Sequence, residues 1–373
     1  MSLHVKNLNG DTTFLLTFSP SVAPDHCRDR FPGAFTILVD PWLVGHSSVW
    51  NAKFQISHHT SKPSVSSLAA ITQPDLILVS QGKPDHCHKE TLSTLPLNSK
   101  TKILAVPAAA KQIKSWPRFN DTGNVSAMQP YDCKKPATVY RISLESYTTS
   151  TAPGQVTISY MPEKHDMTGL HNAIGITYRP PGTSFIGKAG FRVDLPMTPP
   201  MTPTRSNGGS YTRSRDADSS VLPPSSGSDS PMAGQISPGA ACSSLPIEPT
   251  ISVLYTPHGM AYSGLESYIK THLSVLDALP LTALFHSFNV ERNPWLMGGV
   301  VVRGFPAGLD LTQKVGARHW ISAHDEVKDN KGWATVWIKS RPYSMDEAQK
   351  LVNEQVDKRT NLVILDSGQE MKA

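Results

Sequence analysis

The sequence predicts one layered α/β or α+β domain of about 320 residues, interrupted by a single long insertion. Three observations lead there. Short apolar, β-rich runs alternate with segments of helical period along most of the 373 residues. Residues 196–248 break that pattern, because 30 of those 53 are Ser, Pro, Gly or Thr; such a stretch cannot bury enough apolar surface to offset its ordering entropy and reads as disordered. The runs on either side of it, 172–180 (NAIGITYRP) and 250–256 (TISVLYT), both read as strands. The insertion is therefore expected to loop out between two strands of one sheet, leaving 1–373 as a single domain.

The elements follow in order. Strand-like runs are 13–18 (TFLLTF), 34–39 (AFTILV), 76–80 (LILVS), 102–105 (KILA), 157–161 (TISYM), 283–286 (ALFH) and 300–303 (VVVR). Leu265, Tyr268, Ile269, His272, Leu273, Leu276 and Leu279 recur at helical spacing and stop at Pro280. Ser344 followed by Glu347 forms a capping box for a helix whose inner face is Met345, Ala348, Leu351, Val352 and Val356. Residues 362–365 read as a closing strand.

Composition narrows the function classes. The net charge is only +5 and is not clustered, which gives no footprint for nucleic acid. No run approaches the roughly 18 apolar residues of a membrane span. Lys6, Asn7, Asn9 and Asp11 interrupt the first twenty residues before any signal-peptide core forms. Cys27, Cys87, Cys133 and Cys242 are scattered, which fits a reduced, intracellular setting, expected to be the cytoplasm, with the nucleus as the other reduced compartment. The 14 His stand out in a chain with 17% charged residues.

Several of these imidazoles lie at strand ends. Residues 77–88 (ILVSQGKPDHCH) run from an apolar strand into a loop bearing Asp85, His86 and His88. Taken alone, Asp85 reads equally well as the cap of a helix starting near His86. Other strands end similarly: 34–43 (AFTILVDPWL) at Asp40, 157–171 (TISYMPEKHDMTGLH) near His165, 251–259 (ISVLYTPHG) at His258, and 316–325 (GARHWISAHD) at His324. Strand ends feeding short loops are where layered folds place ligands.

In this order of elements the chain resembles the metallo-β-lactamase superfamily, nearest to the branch of bacterial ascorbate-phosphate lactonases and N-acylphosphatidylethanolamine phospholipase D. The resemblance rests on ILVDPWL, PDHCHKETL and the final SAH, and covers nearly everything outside 196–248. It implies an αββα sandwich of two mixed sheets flanked by helices, with metal bound where the sheets meet. It also exposes a departure. Where the family has His-x-His-x-Asp-His, this chain has Gln81-Gly82-Lys83-Pro84-Asp85-His86, so the two leading ligands are missing. Asp85, His86 and His324 match the second metal position, and His258 falls near the family's bridging Asp. The resemblance thus implies one zinc ion held by Asp85, His86, His258 and His324, an acceptable ligand set for zinc. Such an ion acidifies water towards pH 7 and supports hydrolysis of an ester, lactone, amide or phosphodiester in a small-molecule or lipid-like substrate. Lys83 is expected to stabilise a developing oxyanion, and His165, at the first metal position, to act as general base or donor.

The remaining candidates have plainer readings. His88 is expected on a first helical turn, His319 beside Trp320, His286 buried with a hydrogen bond, and His58 and His59 on the surface. Asp40 reads as an acceptor orienting a ligand His. Trp42, Trp50 and Trp295 read as pocket walls or core, and Cys87 lacks a third group to make it a nucleophile. Thr198, Thr202, Ser230 and Ser237 each precede Pro, the minimal site for a proline-directed kinase. The alternative to a hydrolase is a non-catalytic binding or regulatory protein that lost the first metal site and uses Lys83 and His165 to hold an anion.

Overall fold

Strands with apolar residues at alternate positions need a second surface to cover them, and this chain makes two sheets that cover each other. The computed structural model describes residues 1–373 except 50, 52, 121–122, 146–151, 167, 183–248, 296–297 and 357–359. The first half of the chain forms β1 (Ser2–Asn7), β2 (Phe14–Ser19), β3 (Phe35–Val39), a small hairpin of β4 (Ser47–Val49) and β5 (Gln55–His58), then β6 (Leu76–Val79), α1 (Lys89–Leu92), β7 (Lys102–Ala105), α2 (Pro107–Lys114) and β8 (Val125–Ala127). The second half forms β9 (Tyr140–Leu144), β10 (Gly154–Pro162), β11 (Asn172–Arg179), β12 (Ile251–Tyr255), α3 (Tyr262–Tyr268), β13 (Leu281–Phe285), β14 (Val290–Arg292), β15 (Val300–Val302), α4 (Gly304–Val315) and β16 (Ala317–Ile321). It closes with β17 (Asp329–Lys331), β18 (Lys339–Arg341), α5 (Met345–Gln355), β19 (Asn361–Val363) and β20 (Glu370–Lys372).

Two seven-stranded sheets result, ordered β20-β1-β2-β3-β6-β7-β8 and β19-β16-β13-β12-β11-β10-β9, each mixing parallel and antiparallel pairs. Period-two alternation sorts β12 cleanly. Ile251, Val253 and Tyr255 enter the core shared with Phe14, Leu16 and Ile37 of the first sheet, whereas Leu254 faces the helix layer with Leu265, Phe305 and Val352. Ala109, Ala110 and Ile113 of α2 are buried on the first-sheet side, so helices flank both sheets. This is the α+β, αββα sandwich that the resemblance implied.

Parallel pairing lines up the strand ends that matter. β3 runs parallel to β6, and β12, β13 and β16 run parallel to one another. Asp40, Asp85–His86, His258, His286 and His324 therefore leave the sheets along one edge. β11 pairs antiparallel with β12, Ile174 opposite Tyr255, so the chain returns beside the strand it left. The expected disordered insertion 196–248 and its four Ser/Thr-Pro sites lie outside the described residues.

Local expectations hold with adjustments. Ser344 Oγ accepts from the Glu347 amide at 3.2 Å and starts α5. The helix before Pro280 begins earlier than its apolar spacing suggests, at Tyr262, and relaxes into wider π-type turns over Ile269–Leu273. Trp320 is fully buried, donates to His286 O at 3.1 Å and stacks on Phe305 with centroids 4.7 Å apart. Trp320→Ala is expected to cost about 3–5 kcal/mol, against less than about 0.5 for Leu97→Ala at an exposed site; urea unfolding measures both.

Candidate metal centre

Asp40 is the first residue after β3 and takes a left-handed backbone with φ of 43°, unusual for a side chain with a Cβ. That turn directs its buried carboxylate inward. It accepts from the Ser80 amide at 2.7 Å and the Ser80 hydroxyl at 2.5 Å, from Tyr255 Oη at 2.8 Å, and lies 2.7 Å from His86 Nδ1. A carboxylate only accepts, so His86 donates from Nδ1, and in the neutral ring its Nε2 lone pair faces outward. Burial, then the Asp40 charge, holds the Tyr255 phenol well above its ordinary value, which keeps it a donor. The sequence reading of Asp40 as the orienter of a ligand His is the arrangement found.

His258 arrives from β12 by the Thr256–Gly259 turn. Its Nδ1 lies 3.0 Å from the Val301 carbonyl, an acceptor, so it too presents an unprotonated Nε2. Burial, then the neighbouring His324 and His86, pushes its pKa well below the ordinary imidazole range. His86 Nε2 and His258 Nε2 stand 3.1 Å apart. With both rings neutral the two lone pairs face each other and cannot hydrogen-bond; a proton or a metal cation between them satisfies both. His324, again left-handed at φ 69°, completes the group: one ligating atom from each of His86, His258 and His324 lies within 4.8 Å of the others. Asp85 Oδ2 is 3.3 Å from His324 Nε2 and 3.8 Å from His86 Nε2. Burial alone would raise the Asp85 pKa, but His86, the His324 hydrogen bond and Lys328 together hold it well below the carboxylate range. Three imidazoles and one ionised carboxylate suit a divalent ion of borderline softness.

The cation beside this group is a residue the sequence reading missed. Lys328 is buried, pairs with fully buried Asp11 at 2.7 Å, and its Nζ is 3.5 Å from His324 Nε2. Burial works against its charge, yet Asp11 and Asp85 hold its pKa above the usual lysine value. Lys83, expected in that role, is half-buried and forms no ion pair among the described residues; its carbonyl accepts from the His86 and Cys87 amides. Asp85 pairs with His86 and His324 instead.

His165 is likewise not brought into the group. It stands exposed in the turn after β10. The imidazole that the fold buries there is His171, six residues on, whose Nδ1 lies 3.3 Å from Asp166 Oδ2. His171 Nε2, Gln81 Oε1, Asn172 Oδ1, Glu163 Oε2 and His286 Nε2 are all buried acceptors without a protein partner. The first four lie on neighbouring segments, since Gln81 Nε2 donates to Leu170 O at 3.0 Å, Asn172 Nδ2 to Ser80 O at 3.1 Å, and the Glu163 amide to His171 O at 3.0 Å. Arg303 joins them to the imidazoles, bridging to Glu163 at 2.7 Å while its amide donates to His258 O at 2.9 Å.

Other candidates resolve individually. The helix after the motif is capped by His88, not Asp85: its Nδ1 accepts from the Thr91 amide at 3.3 Å in a buried position. His59, expected on the surface, is buried against Trp42, with ring centroids 3.8 Å apart, and paired with Glu326. His286 is buried with Nδ1 2.8 Å from Ser287 O, as expected. Burial, then Asp40, pushes the Cys87 thiol up to about 12, so it is no nucleophile. Trp42 is core, Trp295 is exposed, and Trp50 lies outside the described residues.

No family model matches the chain, and no curated protein does. Solved structures similar to it include Igni18, a novel metallo hydrolase from the hyperthermophilic archaeon Ignicoccus hospitalis (9% identity, 100% of this chain and 99% of that chain, TM-score 0.47). Others are the isothiocyanate hydrolase from Delia radicum gut bacteria (10%, 99% and 98%, 0.45) and the metallo-beta-lactamase fold protein YhfI from Bacillus subtilis (11%, 100% and 99%, 0.44). The chemistry of this chain rests on its own side chains.

Asp40→Asn replaces an acceptor with a donor facing His86, and is expected to weaken divalent-metal affinity about 10–100-fold, read by competition with a chelating dye. A pH effect follows from Asp11. Burial would raise its pKa, but Lys328, then His324, lower it, so its stabilising contribution is complete above the unfolded carboxyl value of about 3.9 and is lost as pH falls through the lower folded value. Asp11→Asn is therefore expected to cost about 3–5 kcal/mol at neutral pH, with the gap to the natural protein closing below about pH 4 in chelator-treated thermal melts.

Proposed function

We propose that the protein is a metal-dependent hydrolase that uses one divalent ion, zinc by the nature of its ligands, held by Asp85, His86, His258 and His324. The observation that carries this reading is the facing pair of unprotonated Nε2 atoms of His86 and His258, 3.1 Å apart, with His324 and Asp85 beside them. A divalent ion in such a site supplies Lewis acidity and brings the pKa of water down to about 7.

The chain's own groups divide the remaining work. Asp40 fixes the tautomer and direction of His86, and the Val301 carbonyl does the same for His258. Lys328, anchored by Asp11, places a permanent positive charge beside the imidazoles, where a developing oxyanion needs it. His171 carries the proton. Asp166 engages its Nδ1 and leaves Nε2 as a buried acceptor without a protein partner. Burial, then Arg303, lowers its pKa, so it is neutral and able to accept near pH 7. Continuing the β11–β12 register past Ile174–Tyr255 brings His171 beside the turn that carries His258. The neighbouring acceptors on Gln81, Glu163, Asn172 and His286 suit a substrate rich in hydrogen-bond donors, such as a hydroxylated ester or lactone.

Metal analysis of the purified full chain tests the reading. About one equivalent of zinc, manganese or iron is expected, and less than about 0.2 after metal-supplemented expression removes the basis for hydrolysis. Asp85→Ala and His324→Ala are expected to lose the metal, while Lys83→Ala and His165→Ala keep it. On a panel of chromogenic esters, lactones and phosphodiesters, His171→Gln and Lys328→Met are expected to lower kcat by about 10²–10³-fold with metal retained.

A further inference from the structure

Three tryptophans stand in solvent on one side of the molecule. Trp295 is 82% exposed, Trp333 57% and Trp337 54%, with Val336 at 79%. Residues Trp333–Trp337 form a single-turn helix seated on the loop after β4: the Trp333 amide donates to Lys53 O, and Trp333 meets Phe54 edge-on with centroids 4.8 Å apart. Trp295 comes from a different element, the turn between β14 and β15. The register joins the two. β14 pairs antiparallel with β18, Val290 opposite Arg341 and Arg292 opposite Lys339. Arg292, the last residue of β14, pairs with Lys339, the first of β18, so the segments carrying Trp295 and Trp337 leave the small β15-β14-β18 sheet at the same end.

Charge surrounds this apolar tip with one dominant sign. Lys53, Arg292 and Lys339 are exposed around it; Lys331 and Arg341, also exposed, pair with Asp329 at 3.0 Å and Glu347 at 3.2 Å. Scattered exposed apolar residues need no explanation, but three Trp and a Val on adjoining loops inside a basic fringe are a different matter. A protein partner's groove would select one geometry. An indole with a polar N–H and an apolar body, ringed by Lys and Arg, matches the headgroup region of an anionic bilayer, where aromatic belts sit and each nearby cation contributes about 1 kcal/mol. No helix among the described residues is long and apolar enough to cross a membrane, so the contact is peripheral.

The tip is also mechanically tied to the imidazole group. Val301 of β15 holds His258 Nδ1, and a Cβ added at Gly298 would meet Thr168 Cγ2 at 3.5 Å, in the loop that carries Asp166 and His171. On the other side, His324 leads through Lys328 and β17 to Trp333. We infer that this aromatic-basic tip docks the protein on the surface of an anionic phospholipid bilayer, with the metal centre beside the contact. The inference is independent of the hydrolase reading, because it concerns adhesion and needs no turnover.

Sedimentation of the full chain with sucrose-loaded vesicles tests it. Binding is expected to phosphatidylcholine–phosphatidylserine vesicles and not to phosphatidylcholine alone, with a blue shift of Trp emission and weakening at high salt. The triple variant Trp295→Ser, Trp333→Ser, Trp337→Ser is expected to bind about tenfold or more weakly, and Arg292→Glu with Lys339→Glu to a similar degree. Unchanged melting temperatures would show that these exposed substitutions leave the fold intact; if the triple variant unfolds, Trp295→Ser alone, on its own turn, carries the test. Failure of the natural chain to bind the anionic vesicles overturns the inference, as does equal binding by folded variants. Sedimentation equilibrium that finds a dimer abolished by the same substitutions also overturns it, assigning the tip to a second copy of the chain.

Discussion

The arrangement depends on one buried carboxylate. Asp40 receives the end of β6 through Ser80, the second sheet through Tyr255, and the metal-binding loop through His86, all within 2.8 Å. Its left-handed backbone is a local cost of the kind that persists only when the surroundings over-determine it. Those surroundings are both sheets. Folding the sandwich assembles the acceptor, and the acceptor in turn decides which nitrogen of His86 is free. Structure and site chemistry are therefore the same interaction viewed from two sides.

Electrostatics then explains how this buried polar group is held together. A buried group of three imidazoles and two carboxylates is costly unless the charges are paired. Lys328 pairs with Asp11 and reaches His324; Asp85 is surrounded by imidazoles. Gln81 turns its amide to Leu170, and Arg303 enters from β15's side to hold Glu163. The region beside the imidazole group thus carries buried acceptors without a protein partner.

Legibility in the sequence followed the range of the interaction. Strands at 34–39 and 76–80 and the Ser344 cap were readable because period-two alternation and capping are local. Asp85, His86, His258 and His324 were readable as candidates because each lies in the loop after an apolar strand, and strand ends meet at a sheet edge. Lys328 was not, since a lysine in a polar loop reads as a solvated charge until Asp11, more than three hundred residues away, is placed against it. His165 and His171 offered the same signal six residues apart, and only the pairing of β11 with β12 and the position of Asp166 distinguish them. His88 and His59 were misread for a similar reason: one caps a helix too short to show a period, the other is buried by Trp42.

The sequence by itself determined the layered class, the strands at 172–180 and 250–256, and the clustering of Asp and His after strand ends. Tertiary structure decided which groups face each other: the Nε2 pair of His86 and His258, the Lys328–Asp11 ion pair, and the shared end of Trp295 and Trp337. The physical reason is that periodicity fixes which face of a strand or helix a residue occupies, whereas tautomer, charge pairing and surface patches depend on register between distant strands, and register is set only when the two sheets close on a common core.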